Sequence, residues 1–225
     1  MTTPRFSLCH ATARLPNGWR NAQRTWMENC DRPLCVEYLL AIDSADILKG
    51  PPDVLPHFFR VVENTGPATC VSAWNAASHA STGKFLIAVA DDFYPPPHWD
   101  TELLKVIPDL DGEYVIETRC GKSPEDDEWF RLITHPMMTR SYYERRGSNI
   151  FHPSYDSMYC DVEFTDVARR DGVVIDARHL LFEHRHWIGS STVGEDEVYR
   201  KSGSPERYDR GIQNLGARRA AGFPL

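Results

Sequence analysis

Residues 71–104 read VSAWNAASHASTGKFLIAVADDFYPPPHWDTELL, and this stretch decides the fold. Val71, Trp74, Ala77 and Ser78 recur at helical spacing. Gly83 closes that pattern, and residues 85–90 follow as an unbroken apolar run of strand length. A strand without polar alternation is covered on both faces, the habit of a parallel sheet between layers of helices. At its carboxyl end stand Asp91 and Asp92, then Pro95, Pro96, Pro97 and Trp99, from which a further helix runs through Leu103, Leu104 and Ile107. Ligands gather beyond the carboxyl ends of parallel strands. Two adjacent carboxylates there repel unless a cation lies beside them, and oxygen donors suit magnesium or manganese. The plainer alternative is a solvated turn carrying two acids.

Outward from this segment, apolar runs of strand length lie at 6–13, 36–42, 59–62, 114–116, 130–133 and 173–175, with helical patterns at 20–29, 70–81, 139–146 and about 161–170. Alternating strands and helices with short links predict an α/β/α sandwich with a mostly parallel central sheet. The length, 225 residues, suits one domain and a core that folds without disulfides or structural metal. The expected organisation is a domain over 1–190 and a basic tail over 191–225, helical and able to act as a lid. The tail holds Arg200, Lys201, Arg207, Arg210, Arg218 and Arg219 against Glu206 and Asp209.

The net charge of -7 excludes a whole-molecule basic field of the kind that marks nucleic-acid binders. None of the cysteines form a CxxC pair, which argues against a zinc ribbon or thioredoxin-like site and for a reducing compartment. The first ten residues, MTTPRFSLCH, carry no long apolar stretch, and no window approaches the length of a membrane span. A cytoplasmic protein without membrane partners is expected, in the host cytoplasm if phage-encoded.

The order glycine, apolar strand, acidic pair, prolines and tryptophan resembles the family 2 glycosyltransferases, which have the GT-A fold, and specifically their compact phage-type members. The resemblance covers roughly residues 5–190 and implies a DxD-like motif. Ala90 stands where a strict motif has its first Asp, leaving the looser xDD form. It implies Asp92 as direct metal ligand, with Asp91 on the ribose or a metal-bound water. His10, Thr12 and Arg14, in HATAR after the first strand, fall where the family lines its nucleotide pocket. Asp43, ending the second strand and followed by Ser44, Ala45 and Asp46, matches the acid that binds uracil or ribose, and Asn75 matches the Asn of the family's helix. Asp161, in YCDVEFTDVARRDG, matches the catalytic base, with Glu163 in reserve. Without the resemblance Asp161 is equally an N-cap. In LLFEHRHW, His184 or His186 matches a further metal ligand, and histidine softens such a site towards manganese over magnesium.

The implied activity is metal-dependent transfer of a sugar from a nucleotide-sugar, UDP by family habit, to a hydroxyl acceptor, with inversion. Two acceptors are open. One is a hydroxymethylated base in phage DNA, stacked on a surface of Tyr142, Tyr143, Arg145, Arg146, Phe151, Tyr155 and Tyr159. The other is a saccharide or small molecule. Two rival readings also remain: a sugar-phosphate nucleotidyltransferase, and a non-catalytic sugar- or nucleotide-binding protein.

Overall fold

The computed structural model describes residues 4–15, 17–44, 59–120, 131–186 and 194–225. In chain order the elements are β1 (Phe6–Ala11), α1 (Arg20–Glu28), β2 (Val36–Asp43), β3 (Phe59–Asn64), α2 (Cys70–His79), β4 (Phe85–Val89), β5 (Phe93–Tyr94), α3 (Trp99–Val106), β6 (Val115–Arg119), β7 (Met137–Thr139), α4 (Arg140–Arg145), α5 (Cys160–Arg170), β8 (Val174–Leu181), β9 (Glu183–His184), α6 (Glu197–Ser202) and α7 (Pro205–Ala220).

Seven strands form one sheet in the order β3-β2-β1-β4-β7-β6-β8. β1 runs parallel to β2 and β4, β2 to β3, and β6 to β8. Only β7 is reversed, antiparallel to both β4 and β6. The expected strand at 130–133 is therefore displaced. Residues 131–133 are not strand, Phe130 lies outside the described residues, and the pairing falls instead to Met137–Thr139. Met137, Met138 and Thr139 are all buried, so this short run supplies the apolar surface the sheet needs beside β4.

Strand alternation sorts the buried side chains into two cores, one on each face of the sheet. Leu86 and Ala88 join Cys9, Leu39 and Ala41 on one face, packed beneath α2 and α5. Phe85, Ile87 and Val89 join Leu8, Leu40, Trp26 and Trp99 on the other, beneath α1 and α3. Gly83 has a role the sequence did not suggest. α2 already ends at His79, with Ala80 as its C-cap. A Cβ on Gly83 would lie 2.5 Å from Ser7 Oγ and 2.9 Å from the Phe6 carbonyl carbon. The glycine lets the chain pass against β1, where its N–H donates to Ser7 Oγ and to Glu37 Oε1, each at 2.9 Å.

The C-terminal region is also more integrated than the expected basic tail, whose boundary at 190/191 lies outside the described residues. α7 docks on α5, and Leu215 and Phe223 enter the core. Arg218 donates to both oxygens of Glu163, at 2.6 and 2.7 Å, and Tyr155 Oη donates to the same carboxylate at 2.9 Å. Arg219 pairs with Asp166 and Arg210 with Asp156. Half of the six basic side chains thus hold the helix down rather than standing free. Truncation within α7 should impair folding first, because it uncovers Glu163, a carboxylate only 2% exposed. Arg218→Leu is expected to destabilise the fold by about 3–5 kcal/mol, the usual consequence of stranding a buried charge. Urea denaturation checks this, and a loss under about 1 kcal/mol would make the pair a surface contact in energetic terms.

Candidate active site at the carboxyl edge of the sheet

The acidic pair lies just beyond β4, as its strand demanded, and two indoles bracket it. Trp74 Nε1 donates to the Val89 carbonyl at 2.7 Å, just before the pair, and Trp26 Nε1 donates to the Phe93 carbonyl at 2.8 Å, just after it. The two carboxylates then face different surroundings. Asp91 is buried and taken up by the end of β1: Oδ1 accepts from His10 Nε2 at 2.9 Å, while Oδ2 accepts from Thr12 Oγ1 at 2.9 Å and Arg14 Nη1 at 3.2 Å. Burial raises the Tyr38 phenol, so it keeps its proton and donates to His10 Nδ1, which fixes the imidazole with its Nε2 proton towards Asp91. His10 is fully buried behind Asp91. It orients that carboxylate and does not itself line a nucleotide pocket, a correction to the expectation for this residue.

Asp92 points the other way. The two-residue ladder of β5 and β9 pairs Phe93 with His184, and Arg185 N–H donates to the Asp92 carbonyl at 2.7 Å. His184 Nε2 consequently lies 3.4 Å from Asp92 Oδ2. His135, from the turn before β7, stacks on the Phe93 ring with centroids 4.0 Å apart and meets His184 edge-on at 4.6 Å. Asp92, His135 and His184 each offer a ligand atom, and the three atoms lie within 4.8 Å of one another. One carboxylate oxygen and two imidazole nitrogens form a donor set that fits a borderline divalent ion such as manganese. Burial pushes the Asp92 carboxyl up, but the hydrogen bond and charge of His184, with His135 and Tyr199, outweigh it and hold the group well below the usual carboxylate range. Asp92 is therefore an anion across ordinary pH, as a metal ligand must be.

His135 was missed because it sits in an irregular turn, and no spacing links it to residue 92 or 184. Its one signal is the His-Pro step at 135–136, which marks a turn at the carboxyl side of the sheet. His186 is not in the triad. The ladder stops at His184, and His186 instead packs against Tyr199, with ring centroids 4.5 Å apart.

Asp43 ends β2 half-buried and accepts from Asn64 Nδ2 at 2.7 Å, which leaves it at the sheet edge beside β1. Asp46 lies outside the described residues. Asn75 is a correction. It is buried in α2, its Nδ2 donates to the Phe151 carbonyl at 2.9 Å, and its Oδ1 accepts from the N–H groups of Ile150 and Phe151. This amide braces the 150–151 turn and is not available to a nucleotide.

Asp161 stands in the first turn of α5 but is not its N-cap; that position is Tyr159, held in the left-handed region at φ 69°. Asp161 Oδ1 accepts from Val162 N–H at 2.9 Å. Burial raises its pKa, with the local N–H groups and then the charge of His184 opposing the rise. A raised pKa suits a proton acceptor better than an ordinary aspartate. Glu163, committed to Arg218 and Tyr155, is excluded from the role.

The aromatic surface expected around residues 142–159 is not a surface. Tyr142, Tyr143, Phe151 and Tyr155 are all buried in the core, and only Tyr159 of those tyrosines is partly open.

The comparisons agree with this architecture. The profile of Glycosyl transferase family 2 matches residues 43–165, more than half of the chain, and the chain belongs to that family. No curated protein matches the sequence significantly. Among solved structures, TarS of S. aureus is similar with a TM-score of 0.60 and 14% identity, over 79% of this chain and 36% of TarS. This chain thus spans about a third of that protein. A mannosyltransferase of Pyrobaculum calidifontis, in complex with GDP-Man and Mn2+, gives a TM-score of 0.57 at 15% identity over 100% of this chain and 77% of its own. A Drosophila β-1,4-galactosyltransferase 7 mutant, in complex with manganese, UDP-Gal and xylobiose, gives 0.53 at 11% identity over 89% and 80%. The fold is GT-A, shared with these solved structures.

If the triad binds an ion, His135→Ala should weaken Mn2+ binding, measured by paramagnetic resonance of the free ion, by more than the roughly 10–100-fold cost of losing an outer-shell partner. His186→Ala should leave it within about threefold, because a ring outside the ligand set contributes orientation at most. Equal effects of the two variants would remove His135 from the ligand set.

Proposed function

We propose that this family 2 enzyme binds its nucleotide-sugar across the carboxyl ends of β1, β2 and β4 and transfers the sugar to a hydroxyl group, with a divalent ion held by Asp92, His135 and His184. The observation that carries this reading is the convergence of those three side chains beyond β4, their ligand atoms within 4.8 Å of one another. When bound, the ion supplies positive charge to the departing diphosphate. The chain's own residues do the rest. Asp43 and Thr12 face the nucleoside, and Arg14 presents its guanidinium to the diphosphate, a pairing for which its planar fork is suited. Asp91, its charge already balanced by His10, Thr12 and Arg14, holds Arg14 in place. Asp161 takes the proton of the acceptor hydroxyl as that oxygen attacks the anomeric carbon, and a single base of this kind implies inversion.

UDP is the nucleotide of choice by family habit, with GDP as the second to test, since both occur in complexes of similar folds. A saccharide or small-molecule acceptor is favoured over modified DNA. Four of the five aromatic residues that were to stack a base are buried, and the net charge of -7 gives no general attraction to phosphates. Among the described residues no helix is long and apolar enough to cross a membrane.

Asp161→Asn is expected to retain donor affinity by calorimetry while transfer of labelled sugar falls about 100-fold or more, the scale of a lost general base. A fall in donor affinity with transfer per bound donor unchanged would make Asp161 a donor contact instead. The donor itself is found by thermal shift with UDP- and GDP-sugars, with and without Mn2+, because a ligand in excess raises stability by mass action. Release of a nucleoside diphosphate rather than pyrophosphate separates transfer from nucleotidyl chemistry.

A further inference from the structure

α6 is anchored differently from its neighbour α7. None of its residues is buried, and among the described residues its links to the body are few and polar. Ser157 Oγ donates to the Ser202 carbonyl at 2.9 Å at one end. At the other end its hydrogen bonds among the described residues reach the candidate site. Tyr199 Oη donates to Asp92 Oδ2 at 2.7 Å, the same oxygen that His184 approaches. Asp196, which caps the helix by accepting Tyr199 N–H at 2.8 Å, also accepts Arg14 Nε at 2.7 Å and Arg14 Nη2 at 3.4 Å. The Arg14 guanidinium lies 4.4 Å from the centre of the Tyr199 ring, and His186 packs against the same ring.

These contacts fill two positions that substrates need. A cation at the triad requires the Asp92 oxygen that carries the tyrosine hydroxyl. A diphosphate requires the guanidinium that carries the Asp196 carboxylate. We propose that α6 is a built-in stand-in for the donor: Tyr199 occupies the ion's oxygen and Asp196 imitates the diphosphate on Arg14, so the helix must leave for donor and ion to enter. This rests on the reading of Asp92, His135 and His184 as an ion site. The arrangement is self-consistent in charge. Arg14 stays neutralised in both states, first by an aspartate of its own chain and then by phosphate. A helix with no core residue opens at low cost, whereas α7 beside it stays fixed by Leu215 and the Glu163–Arg218 pair.

The test uses the full chain and Mn2+ alone, followed by the free ion's paramagnetic resonance signal. Tyr199→Phe removes the competing hydroxyl and keeps the ring, and it should bind Mn2+ about tenfold more tightly than wild type, the order of one hydrogen bond to a charged group. Asp92→Ala should abolish binding in both backgrounds. In wild type, addition of Mn2+ with UDP or GDP should speed amide hydrogen exchange in residues 197–202 while leaving α7 unchanged. Equal or weaker Mn2+ binding by Tyr199→Phe, with dependence on Asp92 preserved, overturns the stand-in and leaves the ion site intact. Slowed or unchanged exchange at 197–202 overturns it too, since α6 would then be a permanent wall of the site. Mn2+ binding indifferent to Asp92→Ala overturns the ion site, and the stand-in with it.

Discussion

Two neighbouring carboxylates at the end of a buried strand repel one another, and the rest of the site follows from how that repulsion is relieved. The chain neutralises one from within. Asp91 receives an imidazole, a hydroxyl and a guanidinium, all from the end of β1, the strand paired alongside β4. Asp92 is turned to the opposite side, where two imidazoles and a phenol meet it. The backbone cannot shift to ease the crowding, because Trp74 and Trp26 tie the carbonyls on either side. Each indole belongs to a helix on a different face of the sheet, so the two cores jointly set the direction in which each acid points.

Much of this was legible where chemistry and periodicity coincide. β4 could be read because a run of five buried apolar residues admits only one environment, and the acids at its end inherit a position from it. Asp161 could be placed at a helix start by the stripe of Cys160, Phe164, Val167 and Ala168. What was illegible depends on partners distant in the chain. Asn75 looks the same in sequence whether its amide meets a nucleotide or the 150–151 turn. Glu163 and Asp161 are both first-turn acids of α5, two residues apart, and only the docking of α7 makes one a structural counter-ion and leaves the other to accept from Val162 N–H. β7 was misplaced because three buried residues are too short a signal, and Ile133 nearby is apolar for a different reason, packing against the core without pairing.

The two C-terminal helices show the same charges serving separate ends. On α7, Arg210, Arg218 and Arg219 meet acids of α5 and the 156 region, and the helix face bearing Leu215 is buried. Gly211 permits that approach, since a Cβ there would lie 2.6 Å from the Met158 carbonyl oxygen. The same contact supports Tyr159, whose left-handed backbone is costly for a residue with a side chain and persists only where neighbours enforce it. The α5 N-terminus, and Asp161 with it, is thus braced by a segment that composition alone marks as a polar appendage.

The β5–β9 ladder ties the completion of the site to the completion of the fold. His184 reaches Asp92 only when chain ends far apart in sequence have been brought together through a two-residue pairing. A two-residue ladder repays little of the entropy of closing so long a loop, so the pairing depends on the main sheet to hold its two segments together. During synthesis the first six strands of the sheet can assemble before residue 184 has emerged, with Asp92 carrying its charge and neither imidazole of β9 nor phenol of α6 in place. An ion held at Asp92 through His184 would therefore mark a chain whose sheet and C-terminal region have already come together.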